Sequence, residues 1–160
     1  MPQRITKHGQ SCGNPPIGAN SVQFSPADLV NTSDTGFLRL VPDANTKIAG
    51  ASVDSRTMAS DNQTVAQVKP LFVTWRGLEI LLGVGADLVQ GDIGAFMDLD
   101  TFTTNAFRVT RTGATEESTT TLGTGSQVKC LQRDPERTSE NNVGAFEPAV
   151  VASFAYAGAG

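Results

Sequence analysis

The chain has 160 residues, a net charge of -4 and only 18% charged residues. Ser, Thr, Gly and Asn replace much of the Lys, Glu, Ala and Leu that helices need, so the composition favours strands joined by turns. The scattered Lys and Arg residues do not form the basic stripe that nucleic-acid binding requires, and we expect no nucleic-acid partner. The length suits one domain.

The N-terminal region, residues 1–25, is rich in proline and glycine and shows no periodicity of apolar residues. Its Pro-Pro pair favours an extended polyproline II segment. We predict an extended arm that becomes ordered against a partner, with a disordered tail as the alternative. The candidate partner-binding residues of this arm are Arg4, Lys7, Pro15, Pro16, Ile17 and Phe24.

The remaining chain, residues 26–160, shows a β pattern. After a single helical turn at 26–30, we predict strands at 36–41, 47–53, 63–75 (one or two strands), 78–84, 92–99, 107–111, 127–132 and 149–156. Pro70 marks an edge, bulge or break in the third of these strands, and the small residues of 47–53 predict that a neighbouring backbone approaches closely. Polar loops are predicted at 113–126 and 134–142. This pattern predicts an all-β fold: one small sandwich or barrel-like β domain carrying the extended N-terminal arm.

Cysteine usage and hydropathy bear on the cellular compartment. Cys12 and Cys130 have no CxxC spacing, and we interpret both as free thiols in a reducing cytoplasm. The polar first ten residues predict no signal peptide, and no apolar run reaches transmembrane length. We therefore expect no membrane partner.

The sequence offers no convincing catalytic constellation. The only histidine, His8, lies in the predicted arm, and a loose arm cannot position a catalytic group precisely. No Ser-His-Asp or Cys-His arrangement can be built from it. We therefore predict that the protein is not an enzyme and that it holds no cofactor.

Two further kinds of site, for calcium and for sugars, have limited support in the sequence. Asp98 and Asp100 would share one face of a continued strand and could ligate calcium, but too few oxygen ligands surround them, and we favour a solvated strand end. One Trp and one Tyr give little aromatic surface for stacking sugars. We expect Trp75 to pack in the core or at its rim, whereas Phe154 and Tyr156 of the C-terminal segment complete the set of candidate partner-binding residues.

The segment 47–105 carries a resemblance to a known family. It reads KIAGASVDSRTMASDNQTVAQVKPLFVTW and, further on, LVQGDIGAFMDLDTFTTN. A small-residue strand at 48–53, a strand ending in an apolar pair at 68–73 and a Gly-Asp turn with its strand at 91–98 resemble the decoration, or cement, proteins of tailed-phage heads. The arm and the loop at 113–126 depart from the short members of that family.

The resemblance implies a structural virion protein that binds the outer surface of a phage capsid and stabilises it. Its partner would be the major capsid protein. Its free form would be a homo-oligomer, and because members of this family commonly form trimers, the resemblance implies a trimer. It would be made in the cytoplasm of the host bacterium and reside in the virion. Another virion component, from the tail or baseplate, and a bacterial carbohydrate-binding β module remain the alternatives.

Overall fold

The computed structural model describes residues 4–42, 46–84, 88–99, 108–110, 127–133 and 143–149. These residues form strands in three sheets, with a π-helical turn at Asn62–Ala66 and a 3-10 turn at Gln90–Asp92. The strands are β1 (Arg4–Lys7), β2 (Gln23–Phe24), β3 (Leu29–Thr32), β4 (Leu38–Leu40), β5 (Gly50–Ser52), β6 (Arg56–Thr57), β7 (Phe72–Thr74), β8 (Glu79–Val84), β9 (Phe96–Leu99), β10 (Arg108–Thr110), β11 (Val128–Arg133) and β12 (Val143–Pro148). The predicted all-β class is confirmed.

The three sheets are largely antiparallel. The largest has the order β1-β8-β10-β9-β11-β12, and β12 also pairs with β8. A four-stranded sheet has the order β4-β3-β5-β7, and β2 pairs with β6 alone. The pairing of β10 with β8 is parallel. Neither of the two helical turns in the described part of the chain is long and apolar enough to cross a membrane.

The main core lies between the two larger sheets. The four-stranded sheet contributes Leu29, Ala51 and Val73, and these pack against apolar residues of the six-stranded sheet. The latter include Ile80, Leu82, Val84, Met97, Leu99, Val128, Cys130 and Phe146. On β8 the intervening Leu81 is buried on the opposite face with Val143 and Ala145, which explains why this strand reads as an almost continuous apolar run.

A second apolar cluster covers the other face of the four-stranded sheet. It contains Phe24, Val30, Leu38, Ala49, Met58 and Phe72. On β3, Leu29 belongs to the main core and Val30 to this cluster, as the two-residue repeat of a strand requires. The four-stranded sheet is therefore buried on both faces.

The N-terminal segment crosses this second cluster from one sheet edge to the other. At β7, the Thr74 amide donates to the Gln10 carbonyl at 2.8 Å. At β4, the Leu38 amide donates to the Ile17 carbonyl at 2.8 Å, and the Ala19 amide donates to the Leu38 carbonyl at 2.8 Å. We call residues 10–19 the strap. Because the strap bonds both outer strands, it covers edges that would otherwise invite pairing with other chains.

The strap corrects part of the arm prediction. Residues 4–25 lie along the domain: β1 pairs with β8, and Phe24 is 0% exposed in the second cluster. Phe24, which we assigned to the arm as a partner-binding residue, is instead a core residue. Residues 4–25 are attached to the domain by backbone hydrogen bonds, which need no periodic pattern of apolar side chains. The composition of the segment therefore did not predict this attachment. The division of the chain at residue 25 stays a prediction.

Other local predictions have mixed outcomes. The strands predicted at 36–41, 78–84 and 127–132 are confirmed as β4, β8 and β11. The helical turn predicted at 26–30 is wrong, because Leu29 opens β3 after a turn in which Ala27 has φ 71. Within the range 63–75, the structure has a single strand, β7. The sequence did not predict β12. The predicted strand at 149–156 lies, after Ala149, outside the described residues.

The predicted close approach of a backbone to 47–53 is confirmed at Gly50. A Cβ atom placed on Gly50 would overlap the carbonyl oxygen of Val73 on the neighbouring β7. Gly50 pairs with Thr74 in the antiparallel register of these strands. Only a residue without a side chain therefore fits this position of the sheet.

Candidate functional site

The strap forms one wall of an open groove on the four-stranded sheet. The groove has a volume of about 590 Å³, within the range of ligand-binding clefts. Its lining residues are Cys12, Asn14, Pro15, Pro16, Ile17, Thr32, Gly36, Phe37, Lys69, Phe72 and Thr74. Most of these side chains are apolar, so the groove offers a surface for another apolar group.

The position of the strap depends on close packing at Gly18. A Cβ atom on Gly18 would lie 2.6 Å from the Met58 sulfur and 3.2 Å from Cδ of Pro70. The buried Asn62 side chain holds the same point, since its Nδ2 donates to the Gly18 carbonyl at 2.7 Å and to the Val68 carbonyl at 3.1 Å. The Asn62 Oδ1 accepts from the Val68 amide at 3.0 Å. The π-helical turn thus fixes one end of the groove wall.

Two phenylalanines shape the rest of the groove. Phe72, on β7, is buried in the second cluster, whereas Phe37 is half-buried just before β4. A tight turn positions Phe37: Gly36 has φ 89, and the Phe37 amide donates to Oγ of Ser33 at 3.2 Å. The left-handed conformation at Gly36 favours glycine. The aromatic surfaces are therefore fixed before any partner arrives.

The groove carries one charged lining residue, Lys69. Its Nζ donates to Oδ1 of Asn14 at 3.0 Å, which holds the ammonium against the strap. Thr74 adds a buried hydroxyl that has no hydrogen-bond partner among the described residues. An apolar groove with one positive charge suits an apolar side chain next to a carboxylate.

The two cysteines have different environments. Cys12 is half-buried and lines the groove, whereas Cys130 is fully buried in the main core. Burial, with a smaller contribution from the negative charge of Asp92, raises the pKa of the Cys130 thiol to about 11. Both are free thiols, as predicted.

The structure sorts the predicted partner-binding residues into four groups. Pro15, Pro16 and Ile17 come together in the groove. Arg4 and Lys7 are exposed on β1, at the end of the six-stranded sheet. Phe24 is a correction: its side chain is fully buried and contacts the core, not a partner. Phe154 and Tyr156 lie outside the described residues.

Sequence reasoning missed the residues that face the strap across the groove. Phe37, Lys69 and Phe72 lie on strands or loops, where the sequence shows only ordinary β alternation. Nothing in the sequence indicates that the strap folds back over them.

The predicted calcium alternative concerns β9. Asp98 is half-buried on this strand, while Asp100 lies outside the described residues. Within the described ranges, no group of three or more His, Cys, Asp or Glu side chains is placed to hold a metal ion.

Comparison of this chain with family models, curated proteins and solved structures gives no match.

Proposed function

We propose that this protein binds other protein subunits through the groove under the strap. The observation that carries the proposal is the groove itself: Pro15, Pro16 and Ile17 face two aromatic rings across a cleft of about 590 Å³. The strap is already bonded to both sheet edges, so little chain entropy is lost when a partner binds. Fixed aromatic surfaces of this kind are typical binding hot spots.

We propose further that the partner is the major capsid protein of a tailed phage, and that the protein is a cement protein on the outer capsid surface. The resemblance of residues 47–105 to decoration proteins supports this choice of partner. The groove specifies the contact: an apolar capsid side chain would enter between Ile17 and Phe37, with a neighbouring carboxylate on Lys69. Many copies acting together would stabilise a shell even if each contact were weak.

We also propose that the free protein is a homotrimer. β1 ends the order of the six-stranded sheet, and no further strand pairs with it among the described residues. An open strand edge is a template for association. β1 carries the exposed Arg4 and Lys7, while the chain as a whole has a charge of -4, so a second copy offers charge complementarity.

The experiment compares capsids with and without the protein. We expect the protein to co-sediment with assembled shells and to cover the shell surface in cryo-EM reconstructions. Decorated shells should withstand heat better than bare ones. Equal robustness would contradict the cement function, and density confined to the tail or baseplate would favour the other virion role.

Groove variants test the contact. Phe37→Ser and Lys69→Glu should each weaken co-sedimentation by at least about tenfold, the loss expected for one hot-spot contact. Leu71→Ser is the matched control, because Leu71 is 50% exposed but does not line the groove. If all three variants bind equally well, the groove is not the capsid contact. Mass determination of the free protein tests the trimer separately.

A further inference from the structure

A second cleft, away from the groove, has features of a small-ligand site. It has a volume of about 250 Å³ and lies where the turn after β7 meets β9, β11 and the end of β12. Its walls include Trp75, Gly77 and Phe96, and its polar lining residues are Lys129 and Glu147. Both aromatic side chains and both charged side chains are half-buried, so each remains open to solvent on one side.

Strand register places three of these side chains in one row. Lys129 of β11 lies directly opposite Phe96 of β9 on one side and opposite Glu147 of β12 on the other. The flanking Val128 and Cys130 point into the main core, so Lys129 projects from the other face. Adjacent strands are about 4.8 Å apart, and the row therefore spans roughly 10 Å.

The two charged groups are available to a ligand. Among the described residues, the Lys129 ammonium contacts only the Phe96 ring, 6.0 Å from its centroid. The Glu147 carboxylate has no hydrogen-bond or ion-pair partner within the described part of the chain. One face of Trp75 is already occupied by the Arg76 guanidinium, 5.3 Å from the ring centroid. Within the described residues, a ligand thus meets aromatic walls, the ammonium of Lys129 as a donor and the carboxylate of Glu147 as an acceptor.

We propose that this cleft binds a single ring of a neutral carbohydrate. The apolar C–H face of a sugar would pack on the aromatic walls, as expected for amphipathic ligands in clefts of this kind. Lys129 would donate to one hydroxyl, and Glu147 would accept from another, because a hydroxyl both donates and accepts. The proposal is independent of the groove and of the capsid partner.

The charge balance of the cleft selects a neutral ligand. Lys129 and Glu147 cancel, so a cation or an anion would gain from one of them and be repelled by the other. A zwitterion would match both, but it would have to lose the hydration of two charges on binding. Neutral hydroxyls form the same two hydrogen bonds with a much smaller desolvation cost.

The first test uses the full-length protein without any mutation. Trp75 is the only tryptophan, so intrinsic fluorescence reports directly on the cleft. Glucose, galactose and N-acetylglucosamine, each titrated to about 50 mM, should include at least one that changes the emission saturably with a millimolar Kd. The same sugar should give saturation-transfer NMR signals on its ring C–H protons. No saturable response to any of the three overturns the proposal.

Variants test the assigned residues. Lys129→Met and Glu147→Met remove the charge but keep a long unbranched side chain, and each should weaken sugar binding by at least about tenfold, as expected when a hydrogen bond to a charged group is lost. Lys69→Met, at the groove, is the matched control and should leave sugar binding unchanged. The proposal is overturned if both cleft variants bind sugar as tightly as the parent protein, or if the protein binds the zwitterion serine more tightly than any sugar.

Discussion

Gln127, which immediately precedes β11, donates from its side-chain amide to the carbonyl oxygen of Thr46, in the segment before β5, at 2.6 Å. Both residues are buried. The Oε1 of the same side chain accepts from the Leu99 amide at 2.9 Å. The Gln127 side chain therefore satisfies a backbone acceptor in the segment before β5 and a backbone donor in β9.

Replacement of this glutamine should be costly. Gln127→Leu would leave the Thr46 carbonyl and the Leu99 amide without their side-chain partner in a buried site, and we expect a loss of roughly 3 kcal/mol in unfolding free energy. Gln132→Leu is the matched control, because Gln132 lies nearby on β11 but is exposed. Urea denaturation measures both. A similar, small effect at the two positions would contradict the bridging role.

Two glycines in strands should respond in opposite ways to alanine. Gly50→Ala would force a Cβ into the backbone of Val73 and should destabilise by about 3 kcal/mol or more. A Cβ atom on Gly83 would have no neighbour within 4 Å in the described part of the chain, so Gly83→Ala should leave the stability of the fold unchanged or raise it by up to about 1 kcal/mol. Thermal unfolding of the two variants provides the measurement. If Gly50→Ala is as stable as Gly83→Ala, the close approach of β5 and β7 is incorrect.

Thiol labelling should distinguish the two cysteines. With a pKa of about 11, Cys130 is almost entirely protonated at pH 8, and it is also shielded by the core. We expect Ellman's reagent to modify Cys12 alone in the folded protein and both thiols in guanidinium. The Cys12→Ser variant should show no rapid labelling when folded. Rapid labelling of that variant would contradict the burial of Cys130.

Asp28 predicts a specific pH dependence of stability. Burial raises the pKa of this carboxyl above its ordinary value of 3.8, although the Ser25 amide, which donates to its Oδ2 at 2.9 Å, opposes the shift. The folded state then holds the proton more tightly than the unfolded state, so stability falls as pH rises from about 3.8 through the raised pKa.

Asp28→Asn keeps an oxygen acceptor for Ser25 and cannot ionise. We expect this variant to lack that component of the pH dependence. Its free energy of unfolding should therefore increase relative to that of the parent protein as pH rises. Urea denaturation between pH 3 and 7 gives the comparison, with the exposed Asp34→Asn as control. A stability difference between Asp28→Asn and the parent that does not change with pH would contradict the raised pKa.

Removal of residues 1–19 should disrupt the fold. The truncation eliminates β1 and the strap, and it exposes the outer strands β4 and β7 together with the second cluster. We expect loss of cooperative thermal unfolding by circular dichroism. Gln10→Ala is the control, because the bonds that attach this residue are made by its backbone. Unchanged unfolding of the truncated protein would restore the interpretation of this region as a separate arm.

The sequence predicted the strands whose side chains alternate and whose interior is apolar. β8 is the clearest case, since Ile80, Leu82 and Val84 recur with the two-residue period of a buried strand. Val128 and Cys130, two residues apart in the strand predicted at 127–132, likewise share the main core. Local chemistry determines these elements, so a single sequence suffices for them.

The sequence could not predict contacts that depend on backbone bonds between distant segments. Pro15, Pro16 and Ile17 were expected at a binding surface, but their wall of the groove exists only because the strap bonds β4 and β7. Asn62 gives no signal either, since a polar residue in a polar segment reads as solvated. Its burial follows from its bond to Gly18, 44 positions earlier.

The strap also constrains the order of folding. Gln10 bonds the backbone of Arg76, and β1 pairs with β8, so these contacts of residues 4–10 form only when the chain beyond residue 76 is in place. Pairings across such long stretches of chain are slow to form because the intervening loop must first close. The β3–β4 hairpin, with its short turn at 33–36, has no such requirement and can form early. β1 and the start of the strap are therefore expected to dock after this hairpin, and they complete the sheets when they do.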